Sequence, residues 1–417
     1  MSDFTLKQVQ SIAEFNPSEQ LKKGVLAKCV PMAKLKEFQR KITGYELKPF
    51  SGGAKFRNGD ILVAKITPCL ENGKTAFVDI LADNEIAFGS TEFIVLRARN
   101  DTNPEFLYYF AISPDFRKRA IECMEGTSGR KRVNENTLKT LELPIPNLKT
   151  QKSIAHILST LDQKIAINNQ INAQLEQMAK TLYDYWFVQF DFPDENGNPY
   201  KSSGGKMVYN DTLKREIPKG WEVKSLGELG EIVGGSTPST TNSDNFCTNG
   251  TAWITPNDLS KNQGNKFIGH GEIDVTDKGI RDASLKKYPI GTVLMSSRAP
   301  IGYMAIARNE VTTNQGFKSF IPNKGYAKEF VFYAVKNSLK AIIQSSSGST
   351  FKEVSLTTLR TIKMVLPNKD ISNEYSRLVT KIFEEQDDLE QQNQQRAQLR
   401  DFLLPMLMNG QVGVGDD

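Results

Sequence analysis

The sequence predicts an α+β protein with two similar mixed domains, each followed by a long helix, the two helices pairing as an antiparallel coiled coil. Three observations support this fold class. One ordered series of segments occurs twice, each copy ends in a heptad pattern, and short β-like runs dominate each copy. A chain of 417 residues is also too long for one ordinary core, which favours two domains.

The repeat is visible in three pairs of segments that keep their order. GDILVAKITP from Gly59 resembles GTVLMSSRAP from Gly291, and later in each copy EFLYYF resembles EFVFYA. GTSGRKRVNENTLKTLELPIPN from Gly126 then resembles SGSTFKEVSLTTLRTIKMVLPN from Ser347. Because three matches in the same order are hard to obtain by chance, they indicate a duplicated domain.

Within each copy, runs such as ILVAKI, EFIVLRA, AWITP and TVLMSS have the composition of half-buried strands. A shorter helix is predicted around 107–121 in the first copy and 330–344 in the second, beside a twisted, mostly antiparallel sheet. The predicted organisation is a domain at 1–148, a helix at 149–189, an irregular connector at 190–219, a domain at 220–368 and a helix at 369–410.

Each long helix has a seam of residues at alternating spacings of four and three. The first seam is Ile154, Leu158, Leu161, Ile165, Asn168, Asn172, Leu175, Ala179 and Leu182. The second is Leu378, Ile382, Glu385, Leu389, Gln392, Arg396, Leu399 and Leu403. Such helices commonly pack on their own domain, but the first seam would rise about 42 Å at ~1.5 Å per residue, more than a small domain needs. The spacing therefore favours a coiled coil whose buried Asn and Gln residues fix the register.

Composition limits the class of protein. A net charge of +5 is mildly basic, which permits local phosphate-binding clusters without requiring them. The 4 cysteines are scattered and fit a reducing cytosol better than a disulfide framework or a zinc site. The sequence has neither an apolar run of the roughly 18 residues that a membrane span needs nor an apolar signal core, so it predicts a cytoplasmic protein with no membrane partner.

The sequence shows no convincing pattern of catalytic residues. His156 and His270 lack Cys or carboxylate clusters at metal-ligand spacing, so neither a metal site nor a catalytic residue is predicted. The Gly-rich stretches from Ser202 and Val233 lack the strand–turn–helix context of a nucleotide site. NPSE from Asn16 matches the Asn-Pro-Pro-aromatic motif of amino-methyltransferases only superficially. The chain is therefore expected to bind a target without catalysis and without a cofactor of its own.

Polar and basic residues recur at corresponding positions of the two copies, and these are the candidate DNA-binding residues. In the first copy they are Lys65, Thr67, Lys74, Arg130, Lys131 and Arg132. In the second they are Ser296, Ser297, Arg298, Asn314, Gln315, Ser349, Thr350 and Lys352. Lys and Arg neutralise phosphates, while Arg, Asn and Gln pair with base edges. Two such domains about 40 Å apart would meet one face of the duplex about one turn apart, which suits a target split into two halves.

The whole chain resembles the specificity subunit of Type I restriction-modification systems. The most specific segments are LPIPNLKTQKSIAHILSTLDQKI from Leu143, LEQMAKTLYDYWFVQFDFP from Leu175, ENGNPYKSSGGKM from Glu195 and GWEVKSLGELGEIVGGSTPST from Gly220. The resemblance implies that each domain reads one half of a bipartite sequence in double-stranded DNA. It also implies that the helices act as spacer and dock two modification subunits, which bind S-adenosylmethionine and methylate adenine. Restriction subunits that use ATP and Mg²⁺ to cleave DNA can join such complexes.

Two other classes of function stay open at this point. The chain could be a self-sufficient modification or cleavage enzyme with an unrecognised site, although methyltransferase and nuclease motifs are not evident. It could also be a scaffold that joins proteins through its helices without contacting DNA, in which case its basic residues are ordinary solvated side chains.

Overall fold

A computed structural model describes residues 4–127, 129–346 and 352–413. The chain divides into two compact units: the first joins the residues up to Ile167 with those from Asn393 onward, and the second is the chain between them. Each long helix therefore contributes a segment to both units. Among the helices in the described ranges, none is long and apolar enough to cross a membrane.

The first unit is built from short strands and helices. In both of its larger sheets, strands that are far apart in the sequence lie next to each other. Its strands are β1 (Phe4–Gln8), β2 (Ala13–Phe15), β3 (Leu26–Val30), β4 (Glu46–Pro49), β5 (Ala54–Phe56), β6 (Ile61–Ala64), β7 (Thr75–Phe77), β8 (Ala87–Gly89), β9 (Phe93–Ala98), β10 (Met124–Glu125), β11 (Arg132–Val133) and β12 (Glu142–Pro146). Its helices are α1 (Val9–Ile12), α2 (Pro104–Ile112), α3 (Pro114–Glu122), α4 (Glu135–Thr140) and the first part of α5 (Leu148–Tyr183), with a 3₁₀ turn at Met32–Lys34. The sheets have the orders β2-β9-β6-β7 and β4-β3-β8-β5, and β1 pairs with β12.

The second unit has the same kinds of element. Its strands are β13 (Met207–Asn210), β14 (Arg215–Pro218), β15 (Glu222–Ser225), β16 (Glu231–Val233), β17 (Phe246–Cys247), β18 (Thr251–Ile254), β19 (Phe267–Ile268), β20 (Asp274–Val275), β21 (Val293–Met295), β22 (Met304–Ala307), β23 (Val311–Thr313), β24 (Ser319–Ile321) and β25 (Lys363–Leu366). Its helices are α6 (Pro256–Lys261), α7 (Asp277–Asp282), α8 (Lys328–Gln344), α9 (Leu356–Thr361) and part of α10 (Lys369–Met408), with a π-helical turn at Asp184–Val188 and 3₁₀ turns at Leu226–Glu228 and Ser243–Asn245. The sheets have the orders β16-β24-β21-β22-β19 and β17-β20-β18-β23, and β15 pairs with β25.

The two units repeat one strand plan. The order β2-β9-β6-β7 in the first corresponds to β16-β24-β21-β22 in the second. The other sheet of each unit contains a parallel pair, β3 with β8 and β18 with β23, among otherwise antiparallel pairings. The predicted strand ILVAKI forms β6, whose residues are all buried between β9 and β7. The predicted α+β fold with two similar mixed domains is confirmed.

The helix predicted at 107–121 is two helices in the structure. Ser113 ends α2 and begins α3, with Pro114 in the first turn of α3 and the Ser113 hydroxyl accepting the Phe116 N–H at 3.3 Å. Proline restricts the preceding residue to extended conformations and lacks the N–H that a continuous helix would use. The corresponding segment of the second unit has no proline, and α8 runs unbroken from Lys328 to Gln344.

The connector predicted to be irregular at 190–219 contains the hairpin β13–β14. It also packs into the core of the second unit, where the Phe192 ring stacks on Trp221 with centroids 4.8 Å apart. Its Gly, Asn and Ser content correctly indicated turns. The prediction of an irregular segment did not take account of its aromatic residues, which pack into the core.

Both long helices begin at the Pro-Asn pair that closes each copy of the repeat. The Asn147 side-chain oxygen accepts the Thr150 N–H at 2.9 Å, and the Asn368 side-chain oxygen accepts the Ile371 N–H at 3.0 Å. Asparagine is a favoured residue at a helix start because it satisfies one of the first, otherwise unpaired N–H groups.

The helix segments within the second unit pair antiparallel. The Asn168 amide donates to Gln392 Oε1 at 3.4 Å, and the Tyr375 hydroxyl donates to the Ala179 carbonyl at 3.1 Å. Partner numbers on α10 therefore fall as those on α5 rise. Asn168, predicted to fix the register, does make an interhelical hydrogen bond, although a long one.

The predicted seam residues of α5 are all buried or half-buried. On α10 Leu389 is buried and Ile382, Arg396 and Leu403 are half-buried, but Gln392 is exposed and much of the buried face lies one residue later than the predicted seam. Leu378 and Leu399 are 54% and 47% exposed, so both positions are wrong, and Glu385 is exposed as well. The buried positions of α10 include Val379, Phe383, Gln386, Glu390, Leu404 and Leu407. Gln386 and Glu390 are polar, and both are buried because each has a hydrogen-bond partner in its own unit. A sequence pattern based on apolar residues does not detect such positions.

A buried ammonium group ties the second domain to its helix segments. Lys266 Nζ lies 2.7 Å from Glu176 Oε2, and it donates to Gln386 Oε1 at 2.6 Å and to the Tyr333 hydroxyl at 3.0 Å. All three of its protons are thereby used, and burial lowers the pKa of Lys266 to about 8. Against the effect of burial, Lys266 and Lys336 lower the pKa of Glu176 to about 2.

Glu390 forms a second link in the same cluster. Its carboxylate accepts the N–H groups of Lys266 at 2.6 Å and Phe267 at 3.1 Å, and it lies 3.4 Å from Arg308. Burial nevertheless raises the pKa of Glu390 to about 7. The backbone before β19 is therefore held on α10 by a carboxyl group that titrates near neutrality.

The first unit uses a corresponding tyrosine. Tyr109 has the place in α2 that Tyr333 has in α8, and its hydroxyl donates to Asp162 Oδ2 at 2.6 Å. Arg400 Nη1 donates to the other oxygen of Asp162 at 2.7 Å. A tyrosine–carboxylate–cation contact thus anchors the domain of each unit on its own helix segments.

Candidate nucleic-acid interface

In the first unit, two loops that are distant in sequence lie side by side. We call 65–74, which follows β6, the proline loop, and 129–132, which leads into β11, the partner loop. The Thr67 N–H donates to the Lys131 carbonyl at 3.1 Å, the Lys131 N–H donates to Thr67 Oγ1 at 3.2 Å, and Ile66 forms a β-bridge with Arg132. The fold thereby brings together Thr67, Lys131 and Arg132, which were predicted on separate segments.

Lys65 completes this frame through its backbone. Its N–H donates to the Glu92 carbonyl at 2.9 Å, and its carbonyl accepts the Val133 N–H at 2.9 Å. Its side chain is half-buried and lies 3.4 Å from Glu135. The main role of Lys65 is therefore structural: its backbone hydrogen bonds hold the two loops together, and Glu135 partly neutralises its charge.

The second unit repeats the frame with other side chains. The Ser297 N–H donates to the Gly316 carbonyl at 2.7 Å, and the Ser297 carbonyl accepts the Val354 N–H at 3.0 Å. Ser297 therefore stands where Lys65 stands in the first unit. Its proline loop is 297–303, and the described part of its partner loop is 352–353.

Arg298 then takes the place of Ile66, because it forms the β-bridge to the partner loop, with Glu353 as its partner. By the same frame Lys352 takes the place of Lys131. Both Arg298 and Lys352 are exposed. The two units thus present cations on one backbone frame at partly different positions.

Exposed cations concentrate on the partner loop of the first unit. Arg130, Lys131 and Arg132 are all exposed. Such groups can donate to phosphate oxygens, and an arginine can also donate two hydrogen bonds to one guanine.

An arginine–glutamate pair joins the elements of each frame. Arg132 donates from Nε and Nη2 to the Glu92 carboxylate at 2.7–3.1 Å, and this hydrogen bonding lowers the pKa of Glu92. In the second unit Arg298 Nε lies 3.2 Å from Glu353, which is also 3.7 Å from Lys318. The search for donors in the sequence missed both glutamates, because it considered cations without their neutralising partners.

Two predicted DNA-binding residues are not on the surface. Ser296 and Ser297 have no exposed area, and the Ser296 hydroxyl donates to the Pro300 carbonyl at 2.7 Å while accepting the Tyr303 N–H at 2.9 Å. The Ser296 side chain shapes the proline loop of the second unit from within, and neither serine side chain is accessible to a ligand. The prediction was wrong because Ser296 and Ser297 continue the run of β21, in which every residue is buried, and exposure begins only at Arg298. Ser349 and Thr350 lie outside the described residues.

Asn314 and Gln315 flank the second frame, since Gly316 accepts the Ser297 N–H. The Asn314 side-chain oxygen accepts the Gly316 N–H at 2.9 Å, so it mainly shapes the turn. Gln315 is exposed and accepts a hydrogen bond from the Thr237 hydroxyl, a residue that sequence reasoning did not select. Gln315 is the more accessible of the two predicted amides.

Lys74 closes the proline loop of the first unit. Its N–H donates to the Cys69 carbonyl at 3.0 Å, its carbonyl accepts the Ala64 N–H at 3.1 Å, and it forms a β-bridge with Glu37. The structure gives Lys74 this backbone role and a half-buried side chain.

A groove of about 420 Å³ runs beside the first frame. Its lining includes Lys65, Lys55, Ser18 and Thr91. Lys65 connects this groove to the two loops, so the polar surface extends beyond the predicted residues.

The remaining sequence candidates have structural partners or open surroundings. The Asn16 side chain accepts the Val95 N–H at 3.0 Å and donates to Glu135 at 2.6 Å, which occupies both ends of its amide. His270 is 63% exposed beside Asp274. Within the described ranges no group of three or more His, Cys, Asp or Glu residues could hold a metal ion.

Comparison with known proteins identifies the family. The family model for the Type I restriction modification DNA specificity domain matches residues 1–177 and again 218–399. The chain is 29% identical over 421 residues to the Type I restriction enzyme HindI specificity subunit of Haemophilus influenzae, covering 88% of this chain and 90% of that protein. It is 36% identical over 203 residues to the MjaIX specificity subunit of Methanocaldococcus jannaschii, covering 48% of this chain and 46% of that one.

A solved structure has the same fold. The S subunit of a Type I restriction-modification system from M. genitalium superimposes with a TM-score of 0.57 at 15% identity, covering 97% of this chain and 96% of that one. The duplicated frame, the two matched segments and this shared fold agree, and the chain belongs to the Type I restriction-modification DNA specificity family, with two copies of the specificity domain.

Proposed function

We propose that this chain is the DNA-recognition subunit of a Type I restriction-modification complex. Each domain reads one half of a split target in double-stranded DNA, and the paired helices set the spacing and dock two modification subunits. Restriction subunits can join the same assembly. Catalysis and its cofactors, S-adenosylmethionine, ATP and Mg²⁺, belong to those partner subunits.

The observation that carries the proposal is one backbone frame, present in both units, that presents different exposed cations. Lys131 and Lys352 share a position, whereas Ile66 is replaced by Arg298. Because phosphate contacts position a domain on the duplex, the shared backbone frame favours the same docking geometry for both domains. Different side chains on that frame favour different bases, since base edges are read by individual donors and acceptors.

The test is exchange of one domain. The first domain, residues 4–146, is replaced by that of another family member, and the complex with the modification subunits is used to map methylated adenines. The expected result is a motif in which one half changes and the other half and its methylation persist. Exchange of the second domain is the matched control and should change the other half.

Three results would contradict the proposal. The motif could stay the same after exchange, both halves could change together, or the modification subunits could methylate the same motif without this chain. Methylation or cleavage of DNA by the purified chain alone, with S-adenosylmethionine and Mg²⁺, would favour an enzyme in its own right.

A further inference from the structure

A carboxylate beside a DNA-binding arginine requires a physical explanation. Phosphates repel Glu92 and Glu353, so each lowers the affinity for DNA of any sequence. Yet Glu92 contacts Arg132 through three hydrogen-bond distances of 2.7–3.1 Å, and Glu353 contacts Arg298 at 3.2 Å. A pair of the same kind occurs in both frames, although its residues stand at different frame positions: Glu353 takes the place of Arg132, and its arginine is on the proline loop.

The geometry of the first pair leaves one edge of the guanidinium available. Glu92 occupies the side edge formed by Nε and Nη2, so the end edge formed by Nη1 and Nη2 still carries two parallel N–H groups. Guanine presents two acceptors, O6 and N7, that match two such donors in the major groove.

Glu92 is itself well fixed. Its N–H donates to Ser90 Oγ at 3.1 Å, its carbonyl accepts the Lys65 N–H at 2.9 Å, and its side chain is 24% exposed. Arg132, at 51% exposure, therefore projects from a rigid carboxylate toward solvent. Orienting a flexible arginine in advance reduces the entropy lost when it binds.

Charge balance decides between phosphate and base. A lone arginine gains affinity from any phosphate, whereas an arginine paired with a carboxylate is nearly neutral as a unit and gains little from counterion release. Its directed hydrogen bonds to a base edge are retained. The carboxylate therefore lowers the affinity for DNA of any sequence and increases the discrimination between base pairs.

We propose that Glu92 and Glu353 are specificity-determining positioning residues, which hold Arg132 and Arg298 so that each reads a guanine in its own half-site. This inference rests on the proposed function and names the residues that carry it. In the second unit Glu353 is shared with Lys318 at 3.7 Å, so Arg298 is the less tightly held of the two arginines.

The experiment uses the full complex with its modification subunits and the target found by methylation mapping. Binding is measured at several salt concentrations to the target duplex, to duplexes with each single base pair changed, and to an unrelated duplex. Glu92→Gln is expected to reduce discrimination at one G·C pair of one half-site by about tenfold or more, the value of one bidentate contact. Affinity for the unrelated duplex should rise, with a salt slope steeper by about one ion.

Two further variants separate geometry from charge. Glu92→Asp keeps the charge but shortens the reach, so it should lose discrimination at the same base pair without a change in salt slope. Glu122→Gln, at an exposed residue that ends α3 outside both loops, removes an equal charge and should leave discrimination intact. Glu353→Gln should act on the other half-site only.

Equal tightening of target and unrelated DNA by Glu92→Gln, with discrimination unchanged, would overturn the inference and reduce Glu92 to a repulsive charge. That result is distinct from failure of the proposed function. If exchange of the first domain changes one half-site while Glu92→Gln changes none, only the positioning role is lost.

Discussion

At the scale of the residue, burial separates cations that look alike in the sequence. Lys266 is almost inaccessible, and its three protons bind Glu176, Gln386 and Tyr333. Lys131 is exposed on the partner loop, where only its backbone is engaged with Thr67. Replacing the first should affect stability, and replacing the second should affect binding.

Lys131→Ala is expected to weaken binding of the complex to all DNA sequences by a similar factor. An exposed lysine neutralises phosphate without reading a base, so the salt slope should fall by about one. Affinity measured against salt for target and unrelated duplexes checks this, with Lys118→Ala on α3 as the control. A loss confined to the target duplex would instead make Lys131 a base-reading residue.

Glu390 should make the stability of the second unit depend on pH. Its pKa of about 7 is above that of an unfolded glutamate, so its contribution is fully present below about pH 4.5 and is lost as pH rises through about 7. The group faces Lys266, Arg308 and Asp387. Lys266, whose pKa is lowered to about 8, gives the opposite trend at higher pH, since stability rises between about 8 and 10.5.

Glu390→Gln should remove the first of these trends. The amide does not titrate, and its single oxygen can accept one of the two N–H groups that the two carboxylate oxygens accept separately. The variant therefore loses one hydrogen bond at every pH, and the comparison concerns only the pH dependence. Between pH 5 and 8, the free energy of unfolding of the unsubstituted chain should fall relative to the variant by roughly 2–3 kcal/mol. Chemical denaturation at several pH values measures this difference, and parallel curves for the two proteins would refute it.

At the scale of the element, the paired helices show that burial follows hydrogen-bond partners as well as apolar pattern. Gln386 and Glu390 lie on the buried face of α10, whereas Leu378 and Leu399 lie largely outside it. The heptad spacing was recognisable from the sequence, but its phase depended on residues whose polar groups are satisfied only in the folded unit.

Leu404 and Leu399 form a matched pair that tests this phase. Leu404 is 6% exposed in the core of the first unit, and Leu399 is 47% exposed. Leu404→Ala should lower the free energy of unfolding by about 2–4 kcal/mol, whereas Leu399→Ala should change it by less than about 1 kcal/mol. Urea denaturation of both variants measures the difference, and a larger effect at Leu399 would restore the predicted seam.

Much of the fold was accessible from the sequence because its signals are local. The strand ILVAKI, the Pro-Asn helix starts and the repeat each depend on neighbouring residues. The site was harder to predict from the sequence, because it forms where residues distant in sequence come together. Glu92 reaches Arg132 only through folding, and the burial of Ser297 follows from the Lys65-like place that it occupies in the frame.

At the scale of the whole molecule, the first unit is discontinuous in sequence. Its core includes Ile154 and Leu158 from α5 together with Leu404, Leu407 and Met408 from α10. The second unit, by contrast, is one continuous stretch of chain. The α10 residues from Asn393 onward are thus a structural part of the unit formed by the residues up to Ile167.

Removing the residues from Asn393 onward should destabilise the first unit selectively. Two or three buried side chains are lost, at roughly 1.5–3 kcal/mol each. Hydrogen exchange should show faster exchange in β6 and α2 with protection retained in β21 and α8. A chain ending at Met408 is the control, and equal loss of protection in both units would contradict the prediction.

The discontinuous core also has a consequence for synthesis on the ribosome. The second unit can complete its core as soon as Gln392 has emerged, whereas the first domain, although made first, lacks Leu404 and Leu407 until the last turns of α10 appear. At roughly 5–20 residues per second, the delay after Ile167 is on the order of ten seconds or more. The amino-terminal domain is therefore expected to finish folding last, with its apolar face open to chaperones in the meantime.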